Sequence, residues 1–517
     1  MEMKISHTTL GVMEPSCSLT QEQGVELDYV LPDYYPDVCT MVRCLLTPSV
    51  VNESVSADGS RLTYELRADV RILYCSEESR ILQCVTQTLH FTRTAELSGG
   101  CAGLTAELVP TVDYVTCRAV SRRRLDVRGA VTVAIRTAAS RPIEVISDIA
   151  EKSMQQKKCD IAHPACTLRT VRNILLAEET ALGSTAPPML HVVRCSASPV
   201  ETTHQIVSGK LHVQGGLQVQ LLYACEKDGE AALEPFAFRI PYSQLVEMEG
   251  LEEQDACHVH VTAASCDIKP VADTGGAVRS IRCEAELRLH CTAVRMTQQT
   301  LVCDAFSTAH PCTCTTVPLK TAGAPVPFTD SLVCTAQLTA SEGAPAGVYD
   351  AWCEVRGMSA RPDEETGMLH ISGMLWCGAL IRSAAGMPQL LEKEEPVEHS
   401  IPMAQCSAQD SVTLYAVPGS CTYTLSEQGE IALKAEVLLE GTVTPCLLCE
   451  AVTAVEVQEE AALPARHALK LCYAMEQETV WEIAKRCRTS VAAIMEENDL
   501  TEETLPEGGM LLIPIVP

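Results

Sequence analysis

The chain has 517 residues, 46% of them apolar, and a formal net charge of −28. That length asks for roughly three to five domains, and with only 5 Phe and 3 Trp their cores must be filled by Val, Leu, Ile and Ala. The charge excludes a nucleic-acid binder, which needs clustered Lys and Arg, and a protein that clings to an anionic membrane surface.

The first sixteen or so residues carry neither the basic start nor the apolar stretch of a signal peptide, and no apolar run reaches the length of about 18 residues that a membrane span needs. The chain is therefore expected to stay in the compartment where it is made. Most of its 27 Cys are then expected to be reduced thiols acting as small buried hydrophobes. Cys283, Cys291 and Cys377 fall on apolar strand faces. Cys446-Leu447-Leu448-Cys449 is the sole C-x-x-C and has no second half for a four-thiolate site, and His310-Pro311-Cys312-Thr313-Cys314 is a single short motif. No metal site and no cofactor are expected; oxidative cross-linking is a separate route open to the cysteines.

In chain order, Leu31-Pro32-Asp33-Tyr34-Tyr35-Pro36-Asp37 precedes the first long strand. There Leu62, Tyr64, Leu66, Ala68, Val70, Ile72 and Tyr74 alternate with polar residues, which predicts one buried face. Arg122-Arg123-Arg124 reads as a solvated turn entering a second such strand, Leu125 to Ile135. The pattern then recurs. Leu211-His212 to Tyr223 and Leu369-His370 to Ala379 align position for position, and each is followed by a second alternating strand, Ile281 to Leu289 and Ile431 to Leu439. His212 and His370 lie on polar faces and read as solvent-facing or ladder-bonded. Three copies of one antiparallel β domain follow from this, sandwich-like or barrel-like, over 1–150, 155–320 and 325–460. Linkers are expected near Glu151 to Gln156, Thr321 to Pro327 and Glu459 to Arg466. No phosphate loop, H-E-x-x-H or G-x-S-x-G occurs, so no catalytic residues are assigned and the chain is not read as an enzyme.

The last segment, 467–517, changes period. Thr479-Val480-Trp481-Glu482 is a capping box. Val480, Ile483, Ala484 and Cys487 form one apolar helix face, with Lys485, Arg486 and Arg488 at the negative end of the dipole. Trp481 is expected to pack between this helix and its own sheet. A second helix begins near Ser490, buries Val491, Ile494 and Met495, and stops at Asn498, which tolerates a left-handed helix end. Leu505-Pro506-Glu507-Gly508-Gly509 is turn chemistry, and Met510 to Pro514 is predicted to pair with Leu469 to Tyr473. The layout is βααβ.

These residues resemble a LysM module: Thr479, Trp481, Ile483, Ala484, Asn498, Leu505, Gly508, Leu511 and Ile513-Pro514 match its pattern. The resemblance implies binding in a groove between two loops, of N-acetylglucosamine glycans in much of the family. The usual Gly-Asp of the first loop is Gln477-Glu478 here, and the second loop is acidic through Glu496, Glu497, Asp499, Glu502 and Glu503, which favours a basic protein partner. The candidate partner- or glycan-binding residues are Gln477, Glu478, Thr479, Val480, Asn498, Leu500, Glu502, Glu503, Leu505 and Pro506.

The repeats, Pro32-Asp33, Pro36-Asp37, Arg124-Leu125-Asp126-Val127-Arg128-Gly129 and Ile240-Pro241-Tyr242, together with the module, make the whole chain resemble the SipL-type spore coat morphogenetic proteins of Clostridia, whose repeats are SPOCS domains. The resemblance implies a non-enzymatic scaffold in the mother-cell cytoplasm at the forespore surface and in the spore coat. Its partners would be a SpoIVA-like coat basement ATPase, engaged through the LysM module, and other spore coat proteins. The alternative is a cell-wall protein that binds peptidoglycan or N-acetylglucosamine through the module.

Overall fold

The computed structural model describes residues 4–13, 18–76, 81–97, 104–227, 229–340, 343–404, 406–458, 469–505 and 508–514. Its strands fall into three units of one plan. In the first, β3 (Val38–Val55), β4 (Arg61–Ser76) and β5 (Leu82–Glu96) form one antiparallel sheet, while β2 (Ser18–Val30), β7 (Arg124–Ala138) and β6 (Thr105–Ser121) form another in the order β2-β7-β6. A two-stranded ribbon joins β1 (Ile5–Met13) to β8 (Ser140–Ile149).

The expected alternating strands are the centres of the two sheets, not hydrogen-bonded neighbours. Leu62, Leu66, Val70 and Ile72 of β4 meet Leu125, Val127, Val131 and Ile135 of β7 in one core, all at 0% exposure. The two sheets come together along a seam where β3 runs beside β6. No sheet closes into a barrel among the described residues, so the unit is a sandwich.

The second unit repeats this with β10 (Met189–Val207), β11 (Lys210–Lys227) and β12 (Glu230–Glu247) in one sheet. The other sheet holds β13 (Ala256–Ala272), β14 (Val278–Ser307) and β9 (Met154–Ala181). Here β9 and β14 are long enough to form both the sheet and the ribbon, pairing from Ser280–Ala181 to Ser307–Met154. The third unit has the ribbon β15 (Cys312–Ala322) with β22 (Cys446–Val457). Its sheets are β17 (Gly347–Asp363), β18 (Met368–Arg382) and β19 (Pro388–Pro402), and β16 (Val326–Thr339), β21 (Glu430–Thr444) and β20 (Ser411–Leu425). Because β15 pairs with β22, the break expected at Thr321 to Pro327 falls inside the third unit, between β15 and β16. By strand pairing the units run 5–149, 154–307 and 312–457.

The three ribbons pack on one another. Leu10, Val145, Ile161, Leu301, Leu319 and Ala451 contribute to one shared core with residues from every unit. Burial of each such Leu or Ile contributes about 1.5–3 kcal/mol, so the units are joined by a hub and not merely by linkers.

A second junction forms where Leu73 and Cys75 of the first unit meet Val193 and Leu222 of the second and Trp352 and Leu380 of the third. The first strand of each leading sheet breaks register at the same place, before Arg43, Arg194 and Asp350. Such a bulge re-aims the next side chain. Arg43 and Arg194 each lie over the Trp352 ring, 4.9 and 4.8 Å from its centroid. Arg194 pairs with Asp350 at 2.7 Å, and Arg43 with Glu392 at 2.8 Å and Glu354 at 3.2 Å. Gly378 lets the indole lie flat on β18, since a Cβ there would stand 2.7 Å from the ring.

The Arg122-Arg123-Arg124 run does form a turn, but Arg123 is more than solvated. Its guanidinium donates to Asp37 at 2.6 Å and to the Pro32 carbonyl at 2.7 Å, clamping the Leu31 to Asp37 loop. Tyr74 donates to the Pro36 carbonyl at 3.0 Å, and Tyr223 does the same to Pro187 at 3.3 Å in the second unit. In the third unit Ile381 fills that place, buried and with no hydroxyl to give.

Cys283, Cys291 and Cys377 are buried as expected. Cys159 and Cys303 instead form a disulfide across the ribbon of the second unit. Among the described residues no group of three or more His, Cys, Asp or Glu is placed to hold a metal ion. No helix among them is long and apolar enough to cross a membrane.

Candidate functional site

The terminal module is βααβ as predicted. β23 (Leu469–Ala474) pairs with β24 (Gly509–Pro514), Leu471 opposite Leu512 and Tyr473 opposite Met510. The capping box at the head of α1 (Val480–Cys487) is complete. The Thr479 hydroxyl accepts from Glu482 N–H at 3.2 Å, and the Glu482 carboxylate accepts from Thr479 N–H at 3.0 Å. The Thr479 N–H and hydroxyl both donate to the Glu482 carboxylate, and these two bonds hold its carboxyl below the usual range. Val480, Ile483, Ala484 and Ile494 are at 0% exposure and close the module core with Leu505, Leu511 and Ile513.

The two loops of the candidate groove are zipped together through their backbones. Gln477 N–H donates to Leu505 O at 2.8 Å, Leu505 N–H to Glu478 O at 3.1 Å and Val480 N–H to Glu503 O at 2.7 Å. Gln477, at the place of the family's glycine, adopts φ +64°. Glu478 is mostly buried: its carboxylate accepts from Met475 N–H at 2.9 Å and pairs with Arg486 at 2.6 Å.

Asn498 ends α2 (Val491–Glu497) by a different route from the one expected. Its own φ is −110°, and Asp499 takes the left-handed conformation at φ 51°. The Asn498 amide brackets Leu512, accepting from its N–H at 2.7 Å and donating to its carbonyl at 2.7 Å, so it works as a short piece of strand beside β24.

Of the candidate residues, then, Val480 and Leu505 lie in the core, Leu500 packs against it, and Glu478, Thr479 and Asn498 hold the loops. Gln477, Glu502 and Glu503 are exposed beside Glu476, Glu496, Glu497 and Asp499. Pro506 lies outside the described residues. Two features were missed. The outer sheet face exposes Leu471, Tyr473, Met510 and Leu512, readable in hindsight as apolar residues at both in and out positions of a short strand. Trp481, moreover, belongs to the module core and also reaches beyond it, since the same cluster takes in Phe306 of β14. Its ring meets Phe306 edge-on at 5.0 Å and its indole N–H donates to Asp304 at 2.8 Å, while Lys485 pairs with Asp304 at 2.7 Å. Through Trp481 and Lys485 the module is docked on the end of β14.

The fold thus defines a modular β-repeat protein that carries a small βααβ module against its hub of ribbons. A family model for the SipL SPOCS domain matches residues 188–271, which cover β10 to β13, and one for the LysM domain matches residues 476–514. The chain therefore combines the two domain types of the SipL-type proteins that its sequence resembles. They mark a sporulation protein built of domain types that bind and organise and are not catalytic. No curated protein and no solved structure matches the chain.

Proposed function

We propose that this chain is a non-enzymatic scaffold of the spore envelope, which encases the forespore from the mother-cell side and links the coat to its basement layer. The LysM module would make that link by binding a SpoIVA-like basement ATPase. The observation that carries the reading is the docking of Trp481 and Lys485 on Asp304. With one helix face held by the hub, the acidic loops around Gln477, Glu502 and Glu503 are left facing out, a surface that suits a basic protein patch better than a neutral sugar. The loop backbones are already bonded to each other, which leaves Gln477, Val480 and Leu505 no N–H for a sugar amide. Other coat proteins would then be gathered by the repeats, and tethering in one assembly raises apparent affinity without new contacts.

A fluorescent fusion of the chain ending before His467, expressed in sporulating cells, tests this. Loss of the ring around the forespore is expected, and a normal ring overturns the assignment. In capture experiments Glu502→Gln with Glu503→Gln should weaken retention of the basement ATPase. The second reading, N-acetylglucosamine or peptidoglycan binding, rests on the LysM match itself. Sedimentation of the full chain with purified peptidoglycan, unaffected by those two substitutions, is the outcome that favours it.

A further inference from the structure

The seams that close the first two sandwiches carry cysteines on both of their strands. In the first unit Cys44 lies on β3 and Cys117 on β6, the two strands that meet at the seam. In the second, Cys195 on β10 lies 3.6 Å, sulfur to sulfur, from Cys266 on β13, again across the sheets. Cys44 and Cys195 hold equivalent places, each directly after the bulge arginine, Arg43 or Arg194. In the third unit the place of Cys266 is taken by Cys421, since Cys266 pairs with Ala285 and Cys421 with Ala435 in the matching strands. All four thiols of the first two seams are partly exposed, whereas Cys75, Cys225 and Cys291 are buried.

We propose that Cys195–Cys266 is a site of intramolecular disulfide formation by exchange with a low-molecular-weight disulfide, the bridge fastening the two sheets of the second unit along the seam. Sequence separation does not hinder this, because the folded sandwich has already brought the thiols into contact. Cys195 is the attacking group. The Cys266 thiol donates to it, and Arg71 and Arg194 stand near it, all of which push its pKa down and favour the thiolate. Arg71 is fixed there by its bond to the Cys195 carbonyl at 2.8 Å. The Cys195 thiolate attacks one sulfur of the small disulfide, forming a mixed disulfide and releasing one small thiolate. Cys266 then attacks the Cys195 sulfur, and its proton leaves with the second small thiol. One small disulfide is reduced to two thiols, and the protein loses two hydrogens.

Cys283, 3.7 Å from Cys266, is the competing partner, but it lies in the same sheet as Cys266 and would fasten nothing across the seam. The test uses the full chain, reduced, incubated folded with oxidised glutathione, quenched by alkylation and mapped as non-reduced peptides. Monomeric protein with cross-linked Cys195–Cys266 peptides is expected, with Cys75, Cys225 and Cys291 recovered alkylated after unfolding. In Cys266→Ser the bridge should vanish and Cys195 should retain glutathione. Recovery of Cys195 and Cys266 unpaired, a dominant Cys266–Cys283 bridge, or bridges only between chains would overturn the proposal. The wild-type map decides the matter even if a variant does not fold.

Discussion

Gln477 occupies a left-handed conformation, φ +64°, that costs a residue with a side chain about 1 kcal/mol and glycine almost nothing. It is tolerated because Gln477 N–H and Leu505 N–H tie the loops on either side. Gln477→Gly should therefore stabilise the loop pair by about 1 kcal/mol. Hydrogen exchange on the full chain would show it as slower exchange at the Leu505 and Val480 amides; faster exchange would mean that the glutamine side chain makes a contact of its own. The neighbouring Glu478 is a poor place for a charge substitution, since it anchors both Met475 and Arg486. Tests of partner binding belong at Glu502 and Glu503, where the carboxylates are exposed.

At the scale of elements, α1 belongs to two cores at once. Val480, Ile483 and Ala484 close the module, and Trp481 with Lys485 reaches β14. Trp481→Ala should then leave the module folded but undocked, and Asp304→Asn should loosen the same contact by about 1.5–3 kcal/mol, the worth of a hydrogen bond to a charged group. Faster exchange confined to 480–487 and 301–306 in both variants is the expected signature, whereas collapse of protection throughout 469–514 in Trp481→Ala would show that the module core cannot do without the ring. Periodicity predicted that Trp481 is buried but could not say against what, because a helix face looks the same whichever surface covers it. The same limit hid the junction of the units. Leu73, Leu222 and Leu380 interrupt the polar face of their strands at equivalent places, which marks burial on both faces without naming the neighbour. The sandwich cores, which need only alternation within a strand, were legible at Leu62 to Tyr74 and its repeats. The hub, which needs β15 to find β22 over a hundred residues away, was not.

For the whole molecule, the contact between units is polar as well as apolar, and that makes its strength depend on pH. On β13, His260 stacks on Tyr415 of β20 with ring centres 3.4 Å apart and bonds Glu440 of β21 at 3.0 Å. On β14, Arg288 pairs with Glu53 of β3 at 3.1 Å. His290 sits among them, and burial, with Arg288 and His260 adding, pushes its pKa from 6.5 down to about 4. His191 and His258 are pushed down by burial as well. A histidine held neutral in the folded state is protonated first in the unfolded chain, so stability falls as pH drops from about 6.5 towards 4. Glu53, pushed up by burial, works in the opposite direction, so the measurement must isolate the histidine. Urea midpoints of the wild type and His290→Gln, taken from pH 7 to pH 4.5, do so by difference. The wild type should lose up to about 1.4 kcal/mol per pH unit more than the variant across that window. Equal pH slopes would show that His290 takes up its proton without disturbing the fold, and that the junction between the units is open to water at that point.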